Sequence, residues 1–220
     1  YGKKSLRPIS LNISGDPSSA AFFVELTLLN KNSKIKIKNV GLNPTRTGFY
    51  EILKKQKAKI KFTNIKKENN EIRGDILAQS CILKPMTTAS NFYSKTTDEY
   101  LLLFVLAALT KGVSTFNNVS QLQNKESSRA YEMKKILNQI GIKCKLTKNV
   151  MKIYGRGFID ASNKKIKISS LHDHRIAMCG FILASLTNAQ TTIKGFETVF
   201  SSFPSFLKIV KYLGGKYEIK

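Results

Sequence analysis

The stretch Leu171-His172-Asp173-His174-Arg175-Ile176-Ala177-Met178-Cys179 decides how this chain is read. From Ile176 to Leu186 nearly every residue is apolar or small, the pattern of a helix buried on all sides. Asp173 stands where a helix cap belongs, and His174 and Arg175 follow at once. A helix N-terminus carries about +0.5 of an elementary charge, so a cation placed there is disfavoured by roughly 0.3–1 kcal/mol. Arg175 therefore calls for an anion. Two sources fit: a carboxylate of the chain, Asp173 or another, or a bound ligand.

Working outward, the same pattern occurs twice more, in Gly15-Asp16-Pro17-Ser18-Ser19-Ala20-Ala21-Phe22-Phe23 and in Thr97-Asp98-Glu99-Tyr100-Leu101-Leu102. A short strand follows each buried helix: Lys34 to Val40, Ser114 to Val119 and Thr191 to Lys194. A second helix then opens at Asn43-Pro44-Thr45-Arg46, at Asn124-Lys125-Glu126-Ser127-Ser128-Arg129 and at Ser201-Ser202-Phe203-Pro204. Arg46, Arg129 and Phe203 lie 30, 31 and 30 residues after the three aspartates. Apolar spacing in the middle copy (Ala130, Met133, Ile136, Leu137, Ile140) marks an amphipathic helix, stopped at Gly141. Closing strands are expected at Ala58 to Thr63 and Glu71 to Leu77, at Ile142 to Leu146 and Val150 to Tyr154, and at Lys216 to Ile219.

A repeat of this kind fixes an architecture. The expected fold is α/β: three repeated helix-strand-helix-strand-strand units around three buried, parallel central helices. The units run roughly over 14–83, 96–155 and 164–220, within one domain spanning 14–220, and residues 84–95 and 155–163 read as loops. Threefold pseudosymmetry would bring the three helix N-termini to one face, a natural anion site. Residues 1–13, and Ser5 to Ile13 in particular, read as a strand crossing from elsewhere.

Composition bounds the rest. The 220 residues are 42% hydrophobic, enough for one substantial core or two small ones. The chain begins at Tyr1 and shows no signal peptide, so a fragment or a processed piece is expected. The longest apolar run, Tyr100 to Leu109, is a core helix and too short to span a membrane. Cys81, Cys144 and Cys179 are odd in number and set among apolar residues, which fits neither a disulfide framework nor a zinc site and indicates a reducing cytoplasm. No metal or cofactor motif is present.

The formal charge of +23 invites a nucleic-acid reading. The lysines, however, are spread over expected surface elements among asparagines and isoleucines, and no nucleic-acid motif or basic tail accompanies them. Such a charge draws small anions toward the molecule. Lys125 and Arg129, four apart in the expected first turn of a helix, again place cations where the helix dipole opposes them. A surface ion pair with Glu126 is the competing explanation.

Asp98-Glu99-Tyr100, Lys125-Glu126-Ser127-x-Arg129, Asp173-His174-Arg175-Ile176-Ala177-Met178 and Ser202-Phe203-Pro204, with Gly15 to Ala20 and Gly41 to Gly48, together resemble the 5-enolpyruvylshikimate-3-phosphate synthase family, in order along the whole chain. The resemblance implies the C-terminal half of an enolpyruvyl (carboxyvinyl) transferase of two inside-out α/β domains. That enzyme moves the enolpyruvyl group of phosphoenolpyruvate to the 5-hydroxyl of shikimate 3-phosphate and releases phosphate, in the shikimate pathway. It implies no cofactor, no metal, no nucleic acid and no membrane, a monomer in the cytoplasm, and a missing N-terminal domain completing the site.

By the same resemblance Asp98 contacts the shikimate hydroxyls as general base, and Lys125 sits between the substrates. Glu126 exchanges protons with the enolpyruvyl methylene. Arg129 and Arg175 bind phosphoenolpyruvate, with His174 beside them. The chain departs from the family pattern at Ser128, where an aspartate is usual, at Gln123-Asn124, and at Ser201, where one branch has a lysine. A UDP-N-acetylglucosamine enolpyruvyl transferase and an inactive, basic nucleic-acid-binding relative are the alternatives. A fragment of this kind is expected to fold at least in part and to have no turnover alone.

Overall fold

A computed structural model describes residues 8, 10–89 and 92–219. Three helices form its centre: α1 (Pro17–Leu29), α4 (Tyr100–Ala108) and α6 (His174–Thr187), each packed on the other two. Every residue of α4 is fully buried, as its unbroken apolar run dictates. Around them lie β1 (Lys34–Gly41), α2 (Gly48–Lys55), β2 (Ile60–Glu68), β3 (Glu71–Gln79), β4 (Thr87–Thr88), the short α3 (Tyr93–Thr96) and β5 (Gly112–Asn117). Further along come α5 (Arg129–Gln139), β6 (Lys143–Leu146), β7 (Val150–Gly155), β8 (Lys165–Ser169), β9 (Gln190–Lys194), α7 (Thr198–Ser202) and α8 (Phe206–Tyr212).

The strands form three sheets, ordered β1-β3-β2, β4-β5-β7-β6 and β8-β9. In the first two, the closing strands form an antiparallel hairpin whose second strand (β3, β7) lies beside the strand after the central helix (β1, β5). One feature of the unit differs from expectation. A short strand precedes each central helix and pairs in parallel with the strand after it: β4 with β5, β8 with β9, and a single bridge from Gly15 to Val40 in the first unit. Each central helix is thus the crossover of a βαβ unit, and β4 and α3 fall within a span read as loop.

One other expectation fails, and a second falls mostly outside the described residues. Lys216 to Ile219 are exposed and join no sheet, because a strand needs a partner to complete its hydrogen-bond ladder and none among the described residues lies beside them. The strand expected over 1–13 lies partly outside the described residues (1–7 and 9), and 10–14 are irregular.

The central helices are parallel. Their N-terminal turns meet through Arg46, which reaches Asp16 and Asp98, and Arg129, which reaches Asp98 and Asp173. At the other end Leu28 and Leu29 of α1, Leu109 after α4 and Leu186 of α6 line one shared cavity of about 400 Å³. The outer sheets sit tight on this core. A Cβ added to Gly155 of β7 would stand 2.0 Å from the carbonyl oxygens of Ala107 and Thr110, so only glycine lets this strand approach the end of α4.

Candidate active site

The three helix starts are built differently, although their sequences look alike. Asp16 caps α1, accepting from Ser19 N at 2.8 Å. Asp173 caps α6, accepting from Arg175 N at 3.0 Å. Asp98 caps nothing: the N-cap position of α4 is Glu99, and the Asp98 carboxylate turns outward. There it gathers guanidinium groups from all three units. Arg175 Nη2 lies 3.2 Å away, Arg46 Nη2 3.7 Å and Arg129 Nη1 4.0 Å. Arg175 Nη1 also donates to the Asp98 carbonyl at 3.0 Å.

Arg175 thus finds its anion within the chain, in Asp98 of the middle unit and not in the neighbouring Asp173. Asp173 serves Arg129 instead. It is fully buried and accepts from Arg129 Nε at 2.8 Å, from Arg129 Nη2 at 3.3 Å and from Ser127 Oγ at 2.9 Å. Burial pushes the Asp173 carboxyl up, but the Arg129 and Ser127 hydrogen bonds and the Arg129 charge outweigh it and leave the carboxyl below its usual range. Burial pulls Arg129 down, and its bonds to Asp173 with the charges of Asp173, Glu126 and Asp98 raise it above the ordinary value.

The backbone is strained where Asp173 is delivered. Leu171 and His172 both have positive φ, 52° and 60°, a conformation that costs a residue with a Cβ of order 1–3 kcal/mol and clusters at functional sites. Thr198 Oγ1 holds the turn by donating to His172 O at 3.1 Å.

Lys125 departs from the sequence reading. It is not in the first turn of α5; a 3₁₀ turn over Val119–Asn124 ends just before it, its own backbone is extended, and the α-helix opens only at Arg129. The four-residue spacing to Arg129 therefore sets no common helix face. Lys125 instead lines a polar cleft of about 210 Å³ with Arg46, Ser94, Lys95, Thr97, Asp98 and Glu99. The surface pair expected between Glu126 and Arg129 forms, at 2.6 Å, with Glu126 half-exposed and Arg129 buried. His174 opens α6 half-buried; burial, then the Arg175 charge, lower its pKa, so the neutral imidazole is favoured.

All six residues singled out from sequence (Asp98, Lys125, Glu126, Arg129, His174, Arg175) therefore converge. Others belong to the cluster without having been singled out as site residues, among them Arg46, Ser18 and Glu99. Arg46 had a legible signal, its equivalence to Arg129 in the repeat. The Asn43–Gly48 segment is built to present it, with Thr45 N and Oγ1 donating to Asn43 Oδ1 at 3.0 and 2.8 Å and Arg46 N to Asn43 O at 2.8 Å. Ser127 joins them through its bond to Asp173, and Asp16 and Asp173 complete the network. Among the described residues no group of three or more His, Cys, Asp or Glu could hold a metal, and no helix is long and apolar enough to cross a membrane. The larger cavity at the opposite pole is mostly apolar, and its lining has no carboxylate or imidazole.

A sequence model of the family described as EPSP synthase (3-phosphoshikimate 1-carboxyvinyltransferase) matches residues 1–210. The 3-phosphoshikimate 1-carboxyvinyltransferase of Caldicellulosiruptor saccharolyticus is 37% identical over 207 residues, covering 94% of this chain and 47% of that protein. The solved EPSP synthase of Acinetobacter baumannii superposes with a TM-score of 0.84 at 32% identity, covering 93% of this chain and 47% of that one. The enolpyruvyl transferase NikO of Streptomyces tendae shares the fold, with a TM-score of 0.64 at 13% identity over 90% of this chain and 43% of that one. The chain spans about half the length of the curated relatives it matches. A match over nearly the whole chain, at a fold whose three repeated units bring acids and arginines together, places this chain in the EPSP synthase family.

Proposed function

We propose that this chain supplies one wall of an enzyme that transfers the enolpyruvyl group of phosphoenolpyruvate to the 5-hydroxyl of shikimate 3-phosphate, releasing phosphate. Residues 14–220 are its C-terminal domain, and a complementary domain supplies the other wall of the cleft. The observation that carries the reading is the Asp98 carboxylate, one-third exposed and faced by Arg46, Arg129 and Arg175, in a cleft it shares with Lys125.

Asp98 accepts the proton of the 5-hydroxyl as that oxygen bonds to C2 of phosphoenolpyruvate. Glu126 delivers a proton to C3 and then takes one back as the bond from C2 to the phosphate oxygen breaks and phosphate leaves. Arg175, Arg129 and Lys125 hold the carboxylate and phosphate, Arg by its planar fork, and neutral His174 stands beside them. The three guanidiniums of the half-site, Arg46, Arg129 and Arg175, are already met by Asp16, Asp98, Asp173 and Glu126. Trianionic phosphoenolpyruvate therefore needs the cations and the water exclusion of the opposing wall. The enzyme works as a cytoplasmic monomer that takes no nucleic acid.

The test is to mix the chain with phosphoenolpyruvate and shikimate 3-phosphate and follow phosphate release, with and without a separately produced complementary half. We expect no turnover alone, turnover with the complementary half, and a loss of about 10²–10⁴-fold in Asp98→Ala. Turnover by the chain alone, or an unaltered rate in Asp98→Ala, overturns the reading.

A further inference from the structure

Behind Asp98 a line of buried polar groups joins two of the repeated units. Glu99 is 3% exposed and Ser18, on the first turn of α1, is 1% exposed. Ser18 Oγ donates to Glu99 Oε1. Arg46 Nη2 in turn donates to Ser18 Oγ at 2.9 Å, and the same nitrogen stands 3.7 Å from Asp98 Oδ2 and 3.4 Å from Asp16 Oδ1. A hydroxyl has one proton to donate and lone pairs to accept with, so Ser18 links the acid on one side to the guanidinium on the other.

We propose that Glu99 is a positioning residue for Asp98: it fixes Arg46 through Ser18, and the two adjacent carboxylates share the Arg46 and Arg175 guanidiniums. This rests on the reading of Asp98 as the reacting base. The charged and titratable groups facing Glu99 are Arg175 from α6, Arg46 from the turn before α2, Asp98 from its own turn and Tyr50 from α2, whose hydroxyl donates to Pro17 O at 2.6 Å, and Lys95 and Lys125 line the cleft that Glu99 shares. Burial raises the Glu99 carboxyl to about 7; Ser18, Arg175 and Arg46 oppose the rise and Asp98 adds to it. Below that pH Glu99 is neutral and both arginines are left to Asp98. Above it Glu99 carries a charge that competes with Asp98 for both, and the hold on Asp98 loosens.

The experiment is side-chain NMR on the chain itself, labelled with ¹³C and ¹⁵N and titrated from pH 5.5 to 8.5. In the wild type the Glu99 Cδ, Arg46 Nε and Asp98 Cγ resonances are expected to move together with one midpoint at about 7. In Ser18→Ala, a small change that leaves the core intact, Glu99 still titrates with a higher midpoint, because the bond favouring its ionised form is gone, and Arg46 no longer follows. In Glu99→Gln all three movements vanish. Wild-type Arg46 and Asp98 resonances indifferent to the Glu99 midpoint, or an Arg46 response that survives Ser18→Ala, overturn the proposal. No substrate enters these measurements, so their outcome is independent of the turnover assay. In the assembled enzyme, Glu99→Gln is expected to flatten the pH dependence of kcat near neutrality, which a packing defect would not do.

Discussion

Glu25 offers the sharpest test of the core. It lies in the middle of α1 with no exposure, and neither carboxylate oxygen has a hydrogen-bond partner among the described residues. Burial alone pushes its pKa well above the usual value, and Cys179 on α6 is close enough for the Glu25 charge, after burial, to raise the thiol in turn. Replacing Glu25 by leucine, of similar size, removes an unsatisfied buried polar group worth about 1–3 kcal/mol. The pH dependence adds to this. A carboxyl whose folded pKa is raised contributes its full stability below the unfolded value, about 4.3, and loses it as pH climbs toward the folded pKa. Within that window each pH unit costs about 1.4 kcal/mol. Glu25→Leu should therefore be more stable than wild type at pH 5, and the gap should widen as pH rises. Urea denaturation followed by circular dichroism at pH 5, 6, 7 and 8, at constant ionic strength, measures it. Glu99, raised in the same direction, is present in both proteins and cancels in the difference. Equal stabilities, or a gap that does not grow with pH, refute the argument.

Asp173→Ala should cost about 3–5 kcal/mol in the same assay, since it leaves the buried Arg129 guanidinium uncompensated, while Asp173→Leu with Arg129→Met should recover most of the loss. In native protein at pH 8 a thiol reagent should modify Cys81 well before the others: burial pushes Cys144 up to about 12 and Cys179 well above its ordinary value, whereas Cys81 is half-buried. All three should react in urea, and prompt native labelling of Cys179 would contradict the packing of α6.

Much of this organisation was legible from residues alone. The apolar runs of α1, α4 and α6 named the central helices, and the matched positions of Arg46 and Arg129 exposed the repeat. Seven of the nine strands among the described residues followed from periodicity and turn residues, because alternation and chain breaks are properties of a few consecutive residues. Of the two missed, β4 is only two residues long and carries no periodicity, whereas β8 alternates along Lys165–Ser169 and was legible; a parallel neighbour, β5 or β9, completes the ladder of each. Lys216 to Ile219 fail in the opposite sense: strand-like residues with nothing beside them.

The site divides along the same line. Its acids and cations were readable as residue types at helix starts, so Asp98, Lys125, Glu126, Arg129, His174 and Arg175 could be named in advance. Which carboxylate meets which guanidinium could not. Local spacing favoured Asp173 for Arg175, yet Arg175 reaches back 77 residues to Asp98, and Asp173 reaches 44 to Arg129. The burial of Glu99 beside Ser18, 81 residues away, was equally invisible. Sequence determines which face of each unit is apolar and where its helices begin. Only the packing of α1, α4 and α6 against one another brings three separate N-termini within ion-pair reach, and only that proximity decides which charges are spent on the fold and which remain for a substrate.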